Sequence, residues 1–549
     1  MSQVKSENMH IEDSSEDAKR AALASIIEDV TGITEQEHHM TLWQGMKSYS
    51  RAVFWSATVS LTIVMDGYDT SLLGSLFAVP AFKEKFGDYN DGAWVLPANW
   101  QTALSMMVSI GSLFGILIGF HFTERFGYRR VMFVGLVAAT GFIFMLVLAP
   151  NRTVLLVGEL LMGLPNGLFG VIGPTYASEV CPVVLRGYLT SYVYMCFIFG
   201  QVLAQGVLKA SQARTDDWSW RIPFAIQWVW PIPLAILLYF APESPWWYVR
   251  RGKINEAEKS LKRLTSTTAK VDIPATVTMM VHTTEMEKQF QEGTSYWDCF
   301  KGIDLRRTEI SCMSLVIQSV SLGKILAFAV YFFELAGVPT SAAFSLGIGQ
   351  YAIGFVAVWI AWFLMPHVGR RPIFLYGLVI MIILYLVMGF VSLAPSTNSA
   401  TPWVTATLLY VIVLVYDASI GAIGWCLIGE VSSSRLRGRT IGLSRNSFHL
   451  CAIVNSVIYS YILNANAGDW KGKVGFFLAG LSFLCLVWTY FRLPETKGRT
   501  YEELDIMFIK KVPARQFRKY QIETLDINHI IDSEKAGVEG NNEKALDKL

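Results

Sequence analysis

The sequence predicts an all-α membrane protein with twelve transmembrane helices in two six-helix pseudo-repeats. Composition, recurrent apolar runs and an internal repeat predict it. Of the 549 residues, 52% are hydrophobic and 16% are charged, where an average soluble chain carries about 25% charged residues. Mean hydropathy is +0.38, hard to reconcile with a surface that faces water on all sides. Apolar runs recur, each near the roughly 20 residues that cross a hydrocarbon core of about 30 Å. Finally, the two halves carry the same polar punctuation between those runs.

Residues 1–51 are polar and acid-rich, without the apolar core of a signal peptide, so they are expected to be an N-terminal tail and the first span to act as insertion signal. The apolar runs fall at 52–79, 100–122, 131–149, 153–177, 187–209 and 221–241, giving an N-terminal bundle over 52–241. A polar linker occupies 242–308. The runs resume at 309–335, 341–366, 372–394, 402–431, 439–464 and 473–492, giving a C-terminal bundle over 309–492 and a polar tail over 493–549. Loops after the even-numbered spans hold about 20 Lys and Arg, against about 8 after the odd-numbered ones, which places both termini and the linker in the cytoplasm. The natural home of such a chain is the plasma membrane.

The 46 basic and 44 acidic residues leave a net charge of +2, which gives no reason to expect nucleic acid as a partner. Seven cysteines without a CxxC pair or metal spacing read as small hydrophobes. No nucleotide loop, metal cluster or nucleophile motif is present, so neither an enzyme nor a cofactor is expected. The expected partners are the bilayer, a small solute and a proton, and the chain is expected to act as a monomer.

The repeat is specific. Glu124-Arg-Phe-Gly-Tyr-Arg-Arg130 after span 2 is echoed by His367-Val-Gly-Arg-Arg371 after span 8. Ser178-Glu179, followed by Arg186-Gly187, is echoed by Gly429-Glu430, followed by Arg437-Gly438. Pro242-Glu243 is echoed by Pro494-Glu495. The copies lie about 250 residues apart, as expected of a carrier that rocks two related halves about a site at the midplane. Glu124, Arg125, Arg129, Glu179 and Arg186 in one half, with Arg370, Arg371, Glu430 and Arg437 in the other, can form ion pairs that gate the cytoplasmic side. Helix capping together with the positive-inside signal is the plainer reading, and both stay open here.

These motifs, with Met65-Asp-Gly-Tyr-Asp-Thr70, Tyr176-Ala-Ser-Glu179, Leu414-Val-Tyr-Asp417 and Arg445-Asn446, resemble the sugar porter family of the major facilitator superfamily. More narrowly, the chain resembles the fungal maltose and general α-glucoside proton symporters. The resemblance covers about residues 50–510 and implies the major facilitator fold and import of an α-glucoside or other oligosaccharide with a proton. A carrier of an organic acid or secondary metabolite, a passive sugar facilitator and a nutrient sensor are the alternatives.

A charge at the bilayer centre costs at least about 2.5–3.5 kcal/mol on insertion scales, so each one asks for a role. Asp66 and Asp69, three residues apart, share one helical face, and two close carboxylates disfavour joint ionisation. That suits a group that gains and loses a proton. The alternative is that Gly67 and Tyr68 break the helix and the aspartates cap its ends. The resemblance assigns proton coupling to Asp69. Glu159 stands where many sugar porters have an arginine, so the aspartates need another cation, for which Arg445 is a candidate. His449 lies one turn further along, and Asp417 could pair with either. Lys324 within span 7 departs from the family and could meet an anionic ligand or form a structural pair. Gln201, Gln318, Tyr194, Trp425 and Asn455 offer the amide and aromatic groups that bind sugars, and the resemblance makes Tyr331 part of an outer gate. Tyr194 stands where relatives have Gln or Asn, and Ala422 replaces the usual Pro after Gly421.

Overall fold

The computed structural model describes residues 41–520, leaving out 91–92, 267–271, 291–295, 323–325, 327–328, 331–332, 334–338, 394–400, 434–435, 464–469 and position 500. Nine helices among the described residues are long and apolar enough to cross a membrane. Three further spans fall short for local reasons. Span 1 is two helices, Ser50–Ser60 and Ile63–Leu76. Span 7, Gly302–Ser321, is described in full only to Leu322, and span 11, Arg437–Leu463, is interrupted by polar side chains.

The break in span 1 has a cause in its hydroxyls. Thr58 donates to the Phe54 carbonyl at 2.9 Å, Ser60 to Ser56 at 2.8 Å and Thr62 to Val59 at 2.8 Å. Such back-bonding competes with the helix ladder and bends it. The helix therefore parts at Leu61–Thr62, while Gly67 and Tyr68 lie inside Ile63–Leu76 and do not interrupt it. Asp66 lies in the first turn of this helix and Asp69 further inside it, and neither is a cap.

In the N-terminal half span 2 (Ala98–Phe126) packs on span 4 (Arg152–Val180), span 1 on span 5 (Val183–Ser211), and span 3 (Tyr128–Val147) on span 6 (Trp218–Phe240). Span 6 passes through a 3-10 turn at Gln227–Val229, next to Pro231, which cannot donate to a continuing ladder. The C-terminal half repeats the same pairings. Span 8 (Thr340–Val368) packs on span 10 (Thr401–Val431), span 7 on span 11, and span 9 (Arg370–Val391) on span 12 (Val474–Arg492). Across the halves the main contacts are span 2 with span 11 and span 5 with span 8, again a symmetric pair.

The punctuation motifs are now seen as turn devices. Gly127 and Gly369 have φ of 92° and 102°, a left-handed conformation that a side chain would strain. Each ends one span so that the next begins at once. The Glu243 carboxylate then accepts from the backbone N–H groups of Tyr128 (3.0 Å) and Arg129 (3.1 Å). The Glu495 carboxylate does the same for Arg370 (2.9 Å) and Arg371 (3.2 Å). In both halves an acid satisfies the orphan N–H groups, and complements the dipole, at a span's N-terminus. The linker, expected only as a polar stretch, contains the helices Pro245–Arg250, Ile254–Leu264 and Ile273–Phe290 around a small core of Val249, Ala257, Leu261, Val277 and Met280. This core lies on the same face of the bundle as the Gly127 and Gly369 turns, called below the linker face.

Candidate functional site

A cavity opens between the halves, walled by Asp66 and Asp69 of span 1, Tyr194 and Gln201 of span 5, Gln318 of span 7, Tyr416 and Trp425 of span 10, and Arg445 and His449 of span 11. Arg445 donates to Asp66 at 3.1 Å, joining the two halves through a pair of buried charges. Its guanidinium also lies over the rings of Trp425 (4.8 Å) and Phe448 (5.3 Å). On the far side it presses on Gly170 of span 4, where a Cβ would come within 2.7 Å of its nitrogen. Packed on every side, this planar cation is held in one position.

Asp69 has different company. It is fully buried and accepts from two amides, Asn166 Nδ2 of span 4 at 3.3 Å and Gln227 Nε2 of span 6 at 3.2 Å. The oxygens of both amides have no hydrogen-bond partner among the described residues. Glu159 lies seven residues before Asn166, on the same face of span 4, fully buried, with neither carboxylate oxygen bonded among the described residues. Arg445 thus takes Asp66 and leaves Asp69 to neutral donors.

On the opposite wall, Tyr194 donates to Asp417 at 2.6 Å, a second bond between the halves. Gln318 donates its amide to the Gly421 carbonyl at 3.1 Å and accepts at its own backbone carbonyl from Tyr416 at 3.0 Å. Gln201 and Trp425 face the cavity, and Trp425 Nε1 is without a partner among the described residues. Asn455 instead donates to the Ser319 carbonyl (2.9 Å) and hydroxyl (3.3 Å), which ties span 11 to span 7. Lys324 and Tyr331 lie outside the described residues. Asn166 and Gln227 as partners of Asp69 escaped sequence reasoning; the one available signal was an uncharged polar side chain deep in an apolar run.

At the linker face the expected gate residues are distributed in a particular way. Glu124 pairs across the halves with Arg439 (3.0 Å), two residues beyond the expected Arg437. Glu179 pairs with Arg250 of the linker helix Pro245–Arg250 (2.9 Å), while Arg186 donates to the Ser178 carbonyl (3.1 Å). Glu430 pairs within its half with Arg370 (2.7 Å), and this pair packs against Gly187 of the other half. Arg125 and Arg129 lie over the rings of Phe126 and Tyr239, and Arg371 donates to the Tyr490 carbonyl at 2.7 Å. Arg437 is buried. The repeated acids Glu179 and Glu430 therefore pair with the linker and within the C-terminal half, and Glu124–Arg439 reaches between the halves.

Because the Glu124 side chain is half exposed, its pair with Arg439 is expected to be worth about 0.2–1 kcal/mol. Glu124→Gln and Arg439→Gln should each raise the reactivity of a cysteine placed under the linker face up to about fivefold, and the double variant should add little more. Strict additivity of the two single effects would show that the pair does not act as a unit.

The family described as "Sugar (and other) transporter" matches residues 55–508. The chain belongs to that family. It is 38% identical over 500 residues to a general alpha-glucoside permease of Saccharomyces cerevisiae, covering 89% of this chain and 80% of the relative. It is 35% identical over 509 residues to the maltose permease MAL31 of the same yeast, covering 91% and 83%. Among solved structures, the proton:xylose symporter XylE bound to 6-bromo-6-deoxy-D-glucose matches with a TM-score of 0.70 at 22% identity, over 84% of this chain and 100% of that one. The inward-open XylE from E. coli matches at 0.61, with 20% identity over 82% and 98%. The fold is the two-repeat, twelve-helix major facilitator fold of a multi-pass membrane transporter.

Proposed function

We propose that this sugar transporter imports an α-glucoside such as maltose, or a related oligosaccharide, together with a proton. It works as a monomer in the plasma membrane by alternating access of the central cavity. Its termini and linker lie in the cytoplasm, as the loop charges require. The permease relatives support the substrate class. The cavity supports it chemically: Gln201 and Gln318 offer amides, and Trp425 offers a ring face for the CH surface of a pyranose, while the Tyr194 hydroxyl is taken by Asp417. Arg445, the one Lys or Arg in the cavity wall among the described residues, is already taken by Asp66, which disfavours a carboxylated cargo.

The observation that carries proton coupling is the pair of amides on Asp69. A carboxylate needs donors, a carboxylic acid needs an acceptor for its own O–H, and a primary amide offers both. As Asn166 and Gln227 now stand, their N–H groups serve the charged form, and a rotation of either would present its unpaired oxygen to the acid. Asp69 can hold or lose a proton and keep a hydrogen-bond partner in either state. Asp66, locked to Arg445, keeps its charge compensated, and Glu159 adds a carboxyl on the same face of span 4 as Asn166. Release of the proton to the cytoplasmic side, followed by return of the empty carrier, completes a cycle.

In sealed vesicles, Asp69→Asn is expected to abolish maltose accumulation driven by a pH gradient while leaving maltose exchange measurable. Accumulation by the variant equal to that of the wild type would remove Asp69 from the role.

A further inference from the structure

The geometry points to Asp417 as a proton-sensitive latch between the two halves, separate from the coupling carboxyl Asp69 and acting through Tyr194. Asp417 opens a π-helical turn, Asp417–Gly421, inside span 10. Such bulges re-aim side chains at functional positions. This one is braced from both ends by span 7, through Tyr416 to the Gln318 carbonyl and the Gln318 amide to Gly421. The bulge turns the carboxylate toward the other half, where Tyr194 Oη donates to Oδ1 at 2.6 Å. Oδ2 is pressed on span 8 at Gly354, where a Cβ would lie 2.3 Å away.

The titratable groups around Asp417 are phenols: Tyr194 on span 5, Tyr351 on span 8 and Tyr416 on its own span. Span 9 presents Gly377, and span 7 the neutral Gln318. Among the described residues no cation pairs with Asp417, which is 2% exposed. Its hydrogen bond among the described residues therefore runs to a residue that moves away when the halves separate.

The sign follows from hydrogen-bond chemistry. A phenol binds a carboxylate about twice as strongly as it binds a neutral acceptor. The latch is firm when Asp417 is ionised and loose when it is protonated, so acid on the side facing the cavity promotes separation of the halves. This rests on the alternating-access reading above but places no coupling load on Asp417.

The experiment is maltose exchange and accumulation in vesicles across pH 5–8, for wild type, Asp417→Asn and Tyr194→Phe, with thermal stability and maltose binding measured on the same samples. Wild-type exchange is expected to speed up about three- to tenfold as the pH falls. Both variants should exchange at the fast, acid-like rate throughout, and both should still accumulate maltose against a pH gradient. Tyr194→Phe removes the donor but leaves the carboxyl, so it carries the test if Asp417→Asn does not fold. A wild-type pH profile in Tyr194→Phe overturns the latch. Loss of accumulation in Asp417→Asn alone would make Asp417 a coupling group, and loss of maltose binding would make it a cargo ligand, and either overturns it too. Failure of the wild type itself to accumulate maltose would instead strike the transport reading.

Discussion

Arg445→Leu is expected to destabilise the folded transporter by about 3–5 kcal/mol and to bring transport below detection. The cause is Asp66, which would remain buried in the bundle with its cation gone. Removing both charges is a different operation from removing one. A buried pair replaced by neutral groups of similar size is often no less stable than the original, because the desolvation penalty of both ions disappears with them. The double variant Asp66→Asn/Arg445→Leu should therefore recover most of the lost thermal stability. It should not recover transport, since the bond that joins spans 1 and 11 across the cavity is gone. Arg445→Lys should fall between, keeping the charge but losing the flat stacking on Trp425 and Phe448. Fluorescence-detected gel filtration of heated samples measures the stabilities, and vesicle uptake measures the rest. A single variant as stable as the double would show that Asp66 finds compensation elsewhere.

How far the sequence discloses such a site depends on the distance over which its residues must meet. The spans are local objects, and an apolar run of about 20 residues announces itself. Where local chemistry is mixed, the edges drift. Span 7 begins at Gly302, seven residues before the expected 309, because Arg306 and Arg307 look like loop yet are accommodated by the C-terminal segment: Arg306 donates to the Val512 carbonyl at 2.9 Å, and Arg307 pairs with Asp505. The break at Leu61–Thr62 is hidden among hydroxyls that polarity scales treat as neutral. The presence of Asp66, Asp69, Glu159 and Arg445 in the membrane was legible at once, as a charge in an apolar run always is. Arg445 was a candidate cation for the span-1 aspartates, but which aspartate it takes and what the other meets was not legible. Asp69 meets Asn166 and Gln227 across 97 and 158 residues of chain, and no periodicity reports on that. Arg437 and Arg439 differ by about 200° around a helix, so which of them meets Glu124 depends on the rotation of span 11, fixed by packing along its length.

The bonds that cross between the halves sit at three depths, the outermost being Lys209 of span 5 donating to the Ser345 hydroxyl of span 8 at the face opposite the linker. Glu124–Arg439 closes the linker face, together with Trp362, which donates to the Ser191 hydroxyl at 2.7 Å. Asp66–Arg445 and Tyr194–Asp417 close the walls of the cavity itself. Opening toward the linker face must break the linker-face set while a bound substrate, in contact with both walls, offsets part of the loss of the cavity set. The Glu124–Arg439 pair, whose acid is half exposed, costs less to open than the Asp66–Arg445 pair, in which both partners are buried. Rotation is therefore expected to proceed about the cavity, with Asp66–Arg445 among the last contacts to give way.

All of this depends on span 1 lying close enough to span 5, and Gly67→Ala should abolish it. A Cβ on Gly67 would stand 1.9 Å from the Phe197 carbonyl oxygen and 2.7 Å from its carbon, and these are backbone atoms of a helix that cannot rotate out of the way. The contact is reciprocal, for a Cβ on Gly200 would stand 2.1 Å from the Val64 carbonyl oxygen. The two spans touch backbone to backbone, as small residues allow in membranes. Overpacking of a core typically costs about 1–3 kcal/mol, and more where no side chain can yield. Relief requires span 1 to withdraw, which pulls Ser71 and Ser75 from the Gln205 amide (2.8 and 2.7 Å) and Asp69 from its two amides. Protein that still folds should then transport at less than about one-hundredth of the wild-type rate, since a displacement of about 1 Å is enough to cost that factor. Gly206→Ala, six residues beyond Gly200 on span 5 with nothing within 4 Å of its Cβ, is the control. It should be neutral, or stabilise the helix by about 0.5–1 kcal/mol. Equal thermal stability and uptake in Gly67→Ala and Gly206→Ala would mean that spans 1 and 5 are not in the contact described.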